Sequence, residues 1–310
     1  MTKIGRQAGL FSWLISTLSF FSAGSALALE GSEAGWRALP VKYFLDAAKT
    51  IRYCEFEGAN HSKAFLLVVP FGNAACELIP AVNHANQPTS AVVGQKKALA
   101  GVNGGYFNLQ GGLSASYVTV DGRQICDPRQ NALLTENPRL KPYLGMIFNR
   151  SELRILRGDK GQLSARIQLH EEPVPEGWTL KHALQAGPRL LPKLTAREEA
   201  FLRSEADGTV TDSIGCLKTA ARTACGITPD NYFLLLCICG PKQDEFSSGM
   251  TLPELAALLQ KLGCREALNF DGGTSTTMVV KSEVDPGYVT VCGRQPETLV
   301  KSCLLLKKLP

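Results

Sequence analysis

Short apolar segments separated by Gly, Asn and Pro clusters dominate this chain. Apolar runs of that length, bounded by turn residues, predict strands. They fall at 65–69, at Val92 and Val93, and over 98–102, 117–120, 144–148, 153–156, 165–169, 232–239, 267–270 and 278–280. Asp121-Gly122, directly after the run 117–120, is a hairpin turn signal with 123–126 as the returning strand. One helical pattern stands out. Leu255, Leu258, Leu259 and Leu262 form a single stripe, Thr251 and Glu254 make a capping box ahead of it, and Gly263 closes it. A second helix is expected at 44–51 or around 197–203, and surface loops at 171–176 and 241–249. The elements do not alternate strand and helix, which predicts an α+β fold: a mixed, largely antiparallel sheet with a few packed helices.

Composition narrows the function classes. The 310 residues are 45% hydrophobic and 20% charged, the balance of an ordinary globular protein. The net charge of +5 comes without a dense basic run, so nucleic acid is not an expected partner. The N-terminus changes the expected compartment. Lys3 and Arg6 precede an apolar run over 10–21, which leads into Ala26-Leu27-Ala28, the order of a secretory signal peptide with an A-x-A cleavage site. That predicts an exported chain: periplasmic, cell-envelope or secreted. The run is short for a membrane span, no cysteine follows the cleavage site at once, and no later stretch is long enough to cross a bilayer. No stable membrane anchor is therefore expected after cleavage.

Ten cysteines in an exported chain permit disulfides, although spacing alone does not give their connectivity. Cys237 and Cys239 lie two apart in an apolar run, so on a strand both face one side. Packed thiols are expected there rather than a metal pair. Zinc spacings of the CxxC type, HExxH, the Walker lysine loop and GxSxG do not occur, which removes the usual support for metallohydrolase, ATPase and esterase readings. His61, His84, His170 and His182 are not paired at metal spacing. His84 is the best proton carrier among them, in a loop where a solvated side chain is the ordinary state.

Two glycine-rich segments carry most of the chemical signal. Residues 101–107 read Gly-Val-Asn-Gly-Gly-Tyr-Phe at the end of an expected strand. Paired glycines let backbone amides approach a ligand, and the same sequence equally makes a tight Asn-Gly turn. Residues 269–278 read Asn-Phe-Asp-Gly-Gly-Thr-Ser-Thr-Thr-Met, a strand running into an acid, two glycines and four hydroxyl residues. An anion or sugar site benefits from that cluster, whereas a plain hairpin does not need it. Asp271 is placed for acid, base or nucleophile work, or for bonding its own turn.

Together the two segments resemble the phosphodiester glycosidase family. The resemblance extends to Ala-Gly-Pro-Arg-Leu at 186–190, to Arg-Thr-Ala-Cys-Gly-Ile at 222–227, and to the capped helix with the strand after it. It implies one family domain over 61–310, following a signal peptide at 1–28 and a lead segment at 29–60. This chain has Thr274 where the family usually has a third glycine, and Phe270 where it usually has leucine. Cys225 and the stretch 241–248 are individual to this chain and bear on substrate identity.

The resemblance implies hydrolysis of a sugar 1-phosphodiester to free sugar and phosphomonoester, with a phosphorylated glycan or sugar 1-phosphodiester as partner. An ordinary glycosidase protonates a basic alkoxide leaving group with a second carboxylate. A phosphate, with a second pKa of about 6, leaves more readily, so charge stabilisation can take over part of that work. On this reading Asp271 is the nucleophile, or the base for an attacking water. Arg222 is the first choice for gripping phosphate, and Arg189 the second. Gly104, Gly105, Gly272 and Gly273 would supply backbone amides, while Asn103, Asn269, Thr274 and Ser275 would contact sugar or phosphate oxygens. No cofactor or metal is expected. Ca²⁺ is compatible with the resemblance through Asp271, but no acidic cluster accompanies it. Two other readings compete: a glycan-binding protein without turnover, and an envelope protein crosslinked through its cysteines. Asp271 and Arg222 argue against the first, since simple carbohydrate binding needs neither.

Overall fold

Burial along the central strands decides the layering. In the strand Tyr232–Cys239, Phe233, Leu235, Cys237 and Cys239 face one core, while Leu234, Leu236 and Ile238 face another, all of them buried. Side chains that alternate between two apolar environments require a sheet covered on both faces. The computed structural model describes residues 35–72, 76–205, 208–239, 249–282 and 287–309. The sequence expectation of a signal peptide over 1–28, and most of the loop expected at 241–249, lie outside these residues.

Tyr232–Cys239 sits in the middle of a seven-stranded sheet. The order is Val41–Phe44, Arg52–Glu57, Lys63–Pro70, Tyr232–Cys239, Arg222–Ile227, Glu266–Asn269 and Arg189–Leu191. Residues 41–57, read from sequence as part of a lead segment, supply two strands of this sheet. A second sheet orders Arg123–Cys126, Val118–Val120, Trp178–Gln185, Ser151–Gly158 and Leu163–Leu169. A third orders Tyr288–Cys292, Met278–Lys281, Ala100–Asn103, Val300–Lys308 and Cys76–Gln87. Every strand pairing among the described residues is antiparallel. The expected α+β architecture with a largely antiparallel sheet is the one observed.

The central core lies where the three sheets meet, with Leu67 and Leu235 from the first, Leu153 and Ile155 from the second, and Val102 and Leu304 from the third. On the outer face of the first sheet lies the helix Leu252–Lys261, its Leu255, Leu258 and Leu259 packed with Leu234 and Leu236. Burial of each such leucine contributes roughly 1.5–3 kcal/mol. Its capping box forms as the sequence predicts: Thr251 Oγ1 accepts from the Glu254 amide, and Glu254 Oε2 accepts from the Thr251 amide at 2.8 Å.

Four local expectations are corrected. Val92 and Val93 belong to the helix Thr89–Gln95, where Thr89, Val92 and Val93 are buried at helical spacing against Val279 and Leu305. Residues 144–148 form the helix Leu144–Phe148, entered from a proline-led turn and burying only Ile147. Neither 44–51 nor 197–203 is helical. In the first, the Asp46 carboxylate accepts from the Thr50 and Ile51 amides at 2.8 and 2.7 Å, holding a turn in place of a helix. In the second, Ala200 takes φ +56° and the chain turns into the strand Leu202–Ser204. No helix among the described residues is long and apolar enough to cross a membrane.

Candidate active site

The segment after Glu266–Asn269 crosses from the first sheet to the third, where it resumes as Met278–Lys281. Asp271 lies on this crossing, so its position depends on what ties the crossing to both sheets. Asn103, at the end of Ala100–Asn103 and fully buried, does most of that work. Its Nδ2 donates to the Asp271 carbonyl at 2.6 Å, and its Oδ1 accepts from Thr223 Oγ1 at 2.7 Å and from the Thr277 amide at 3.1 Å. The Asp271 amide donates to the Gly104 carbonyl at 3.1 Å. The two glycine-rich segments are thus adjacent in space, and each bonds the other.

Asp271 faces a cleft of about 400 Å³, whose lining includes Tyr106, Arg222, Asn269, Thr274 and Ser275. Among the described residues it is the only carboxylate in that lining. Its Oδ1 accepts from the Gly272 amide at 3.0 Å, and the Ser275 hydroxyl also bonds the carboxylate. Burial nevertheless wins over these two donors and pushes the Asp271 carboxyl up to about 6. A carboxylate in that range exchanges protons near neutral pH, as acid–base chemistry requires.

Arg222 reaches the cleft in an unexpected state. Its guanidinium donates to four backbone carbonyls, those of Met250, Ile214, Gly215 and Lys218. Four of the five N–H donors of an arginine are thereby engaged, leaving one on Nη1. Because these partners are carbonyls, the positive charge stays beside the cleft, although burial pulls the guanidinium pKa below the ordinary arginine value. The residue fastens the loop around 214–218 and brings charge, whereas a two-pronged grip on phosphate is not open to it.

The glycines also act differently from the expectation. The Gly104 amide donates to the Ser302 carbonyl at 2.8 Å and that of Gly105 to Ser302 Oγ at 3.2 Å; Gly272 donates to Asp271, and Gly273 to the Ala221 carbonyl at 2.8 Å. All four amides therefore have partners within the protein. Two of these positions need glycine for other reasons. A Cβ on Gly105 would stand 2.3 Å from the Gln185 carbonyl oxygen, and Gly273 holds φ +60°.

Asn269 lines the cleft and carries an unmet hydrogen-bond acceptor. It is buried, its Nδ2 donates to Tyr106 Oη, Gly187 O and Phe270 O at 2.9, 3.1 and 2.7 Å, and its Oδ1 is buried without a partner. A buried acceptor without a partner costs about 1–3 kcal/mol. Arg189, in contrast, lines a separate cavity of about 650 Å³ with Glu172, Lys193 and Glu198. Its backbone amide donates to Glu199 at 2.9 Å and its Nη2 lies 3.6 Å from Glu172. The structure does not bring it to Asp271.

Tyr106 stands in the first glycine-rich segment, where the sequence alone gives it no role. Its hydroxyl donates to Gly187 O at 2.7 Å and accepts from Asn269, while burial drives its ionisation well above the ordinary tyrosine range. An aromatic directly after paired glycines at a strand end was the available signal. Ser213, Ile214 and Ala220 also line the cleft, from a stretch with no motif. No histidine lines it: His170 stacks on Tyr117 and pairs with Glu152, and His182 is buried against Glu77. Among the described residues the cleft offers a divalent cation a single carboxylate, a poor set for an ion that takes 6–8 oxygens. Among the described residues no group of three or more His, Cys, Asp or Glu is arranged to hold a metal.

With this geometry in place, comparison with known proteins gives a consistent class. The phosphodiester glycosidase family model matches residues 96–307, and the chain belongs to that family. Among solved structures, the catalytic domain of zebrafish N-acetylglucosamine-1-phosphodiester alpha-N-acetylglucosaminidase, auto-inhibited by its pro-peptide, is similar in fold. The TM-score is 0.55 at 14% identity, over 84% of this chain and 82% of that one. A hypothetical protein from Synechocystis gives a TM-score of 0.55 at 14% identity over 83% of this chain, which spans 62% of that protein. At such identities the likeness is one of fold. No curated protein matches the sequence.

Proposed function

We propose that this chain is an exported hydrolase that cleaves a sugar 1-phosphodiester, a free one or one carried on a phosphorylated glycan, at the bond between anomeric carbon and phosphate oxygen. Water supplies hydroxide to the sugar carbon and a proton to the departing phosphomonoester. Asp271 is the general base for that water. The observation that carries this reading is the one carboxylate that the described residues bring to the cleft, raised to about 6 by burial and fixed through its backbone by Asn103. Arg222 contributes positive charge and one N–H toward the phosphate, and Asn269 lines the cleft beside Asp271. Thr274 and Ser275 complete the polar wall. Export rests on the order of Lys3, Arg6, the apolar run and Ala26-Leu27-Ala28.

The bond cut is tested by turnover in ¹⁸O-water. The label is expected in the free sugar. Label appearing in the phosphomonoester would mean attack at phosphorus and would overturn the proposed chemistry.

A further inference from the structure

Three thiols meet in the central core, away from the cleft. Cys237 and Cys239 project to the same face of Tyr232–Cys239, and Cys292, the last residue of Tyr288–Cys292, belongs to the same core cluster. Cys292 lies within hydrogen-bonding reach of both other sulfurs. The remaining cysteines do not repeat this arrangement. Cys225 and Cys264, for example, belong to different cores, on opposite faces of the first sheet.

A free cysteine ordinarily packs as a small apolar side chain, and three in contact can do no more than that. Two features set this group apart. Lys63 is the direct cross-strand partner of Cys239, so an ammonium group neighbours one thiol of the three. Cys237 is instead engaged by a neutral hydroxyl, Thr223 Oγ1 at 3.6 Å. Cys239 and Cys292 differ in acidity. The hydrogen bond from Cys292, with help from Lys63, lowers Cys239, whereas Cys292 is pushed well up. An attacking thiolate and a resolving thiol need that asymmetry. Cys237 and Cys239 are poorly placed for each other, since two residues along an extended strand are about 6.8 Å apart, the upper limit for a disulfide.

We infer that Cys239 and Cys292 are a disulfide site, closing a covalent link across the central core between the first and third sheets. The Cys239 thiolate attacks one sulfur of an external disulfide such as oxidised glutathione, forming a mixed disulfide and releasing one thiol. Cys292 then attacks the Cys239 sulfur and releases the second thiol. Two protein thiols lose two electrons and two protons, and the external disulfide gains them. Both sulfurs are buried in the finished fold, so the exchange takes place while the chain folds. The link encloses the helix Leu252–Lys261 and the crossing that carries Asp271, tying the ends of that segment together.

The test needs no substrate and stands apart from the proposed reaction. The full chain is refolded in a buffer of reduced and oxidised glutathione, alkylated, and mapped by mass spectrometry. The expected product is lighter than the reduced chain by two hydrogen atoms before alkylation, yields a Cys239–Cys292 linked peptide, and melts at a higher temperature than after reduction. Cys239→Ser and Cys292→Ser should each remove the linked peptide, and Cys237→Ser should keep it. Natively folded wild-type protein in which all ten cysteines still alkylate, or a linked peptide joining other cysteines instead, would overturn the inference.

Discussion

The side-chain amide of Asn103 donates to the backbone carbonyl of Asp271 across 2.6 Å, joining residues 168 positions apart in the chain. Asn103 Oδ1 meanwhile takes two donors from other elements, Thr223 and Thr277. An asparagine so placed sets where the carboxylate stands. Asn103→Ala leaves a buried hydroxyl, a buried amide and a carbonyl short of a partner. The expected loss of stability is about 2–4 kcal/mol, read as a lower denaturation midpoint, with turnover reduced at least tenfold in protein that remains folded. Asn103→Asp should not rescue turnover, because a carboxylate cannot donate to the Asp271 carbonyl.

Arg222 gives a sharper test, because charge and geometry predict different outcomes. If its task were only to offer a cation to phosphate, lysine would retain much of the activity. The structure instead has four carbonyls held by one planar fork, which an ammonium cannot span. Arg222→Lys is expected to lose about 2–3 kcal/mol of stability and to behave much like Arg222→Ala in turnover. A lysine variant of near wild-type stability and activity would show that the charge alone matters.

Asp271 links stability to pH with an unusual sign. Its folded pKa stands above its ordinary value of 3.8, so the fold favours the protonated form. The stabilisation is fully present below about pH 4 and is lost as pH rises through about 6, by roughly 3 kcal/mol for a shift of this size. Asp271→Asn should therefore be more stable than wild type at pH 8 and indistinguishable from it at pH 4. Thermal melts of both proteins at the two pH values check this. Equal differences at both would mean that burial of charge is not the cause.

The same group predicts the acid limb of the rate. A base must be ionised, so kcat/KM should rise with pH through an apparent pKa near 6 and then level. A limb that falls with rising pH through that value would make Asp271 an acid.

Much of this was legible in the sequence, where the signal was local. The strand Tyr232–Cys239 and the Asp121-Gly122 hairpin follow from unbroken apolar runs and turn chemistry, and the helix Leu252–Lys261 from its cap and leucine stripe. Val92 with Val93 was not, because a two-residue apolar run carries no period, and only packing against Val279 and Leu305 reveals a helix. The site divides in the same way. Asp271 and its hydroxyl neighbours stand together in one segment. The tasks of Arg222 and Arg189 are set by partners that no spacing announces: carbonyls of 214–218 and Met250 for one, Glu172 and Glu199 for the other.

The central claim is that this cleft turns over a sugar 1-phosphodiester through Asp271. The most direct measurement incubates wild type and Asp271→Asn with a panel of such diesters, an N-acetylglucosamine one among them, and quantifies free sugar and phosphomonoester together. The account predicts equal release of both by wild type and a loss of at least a hundredfold in the folded variant. Undiminished turnover by folded Asp271→Asn, or no turnover by folded wild type across the panel, would contradict it.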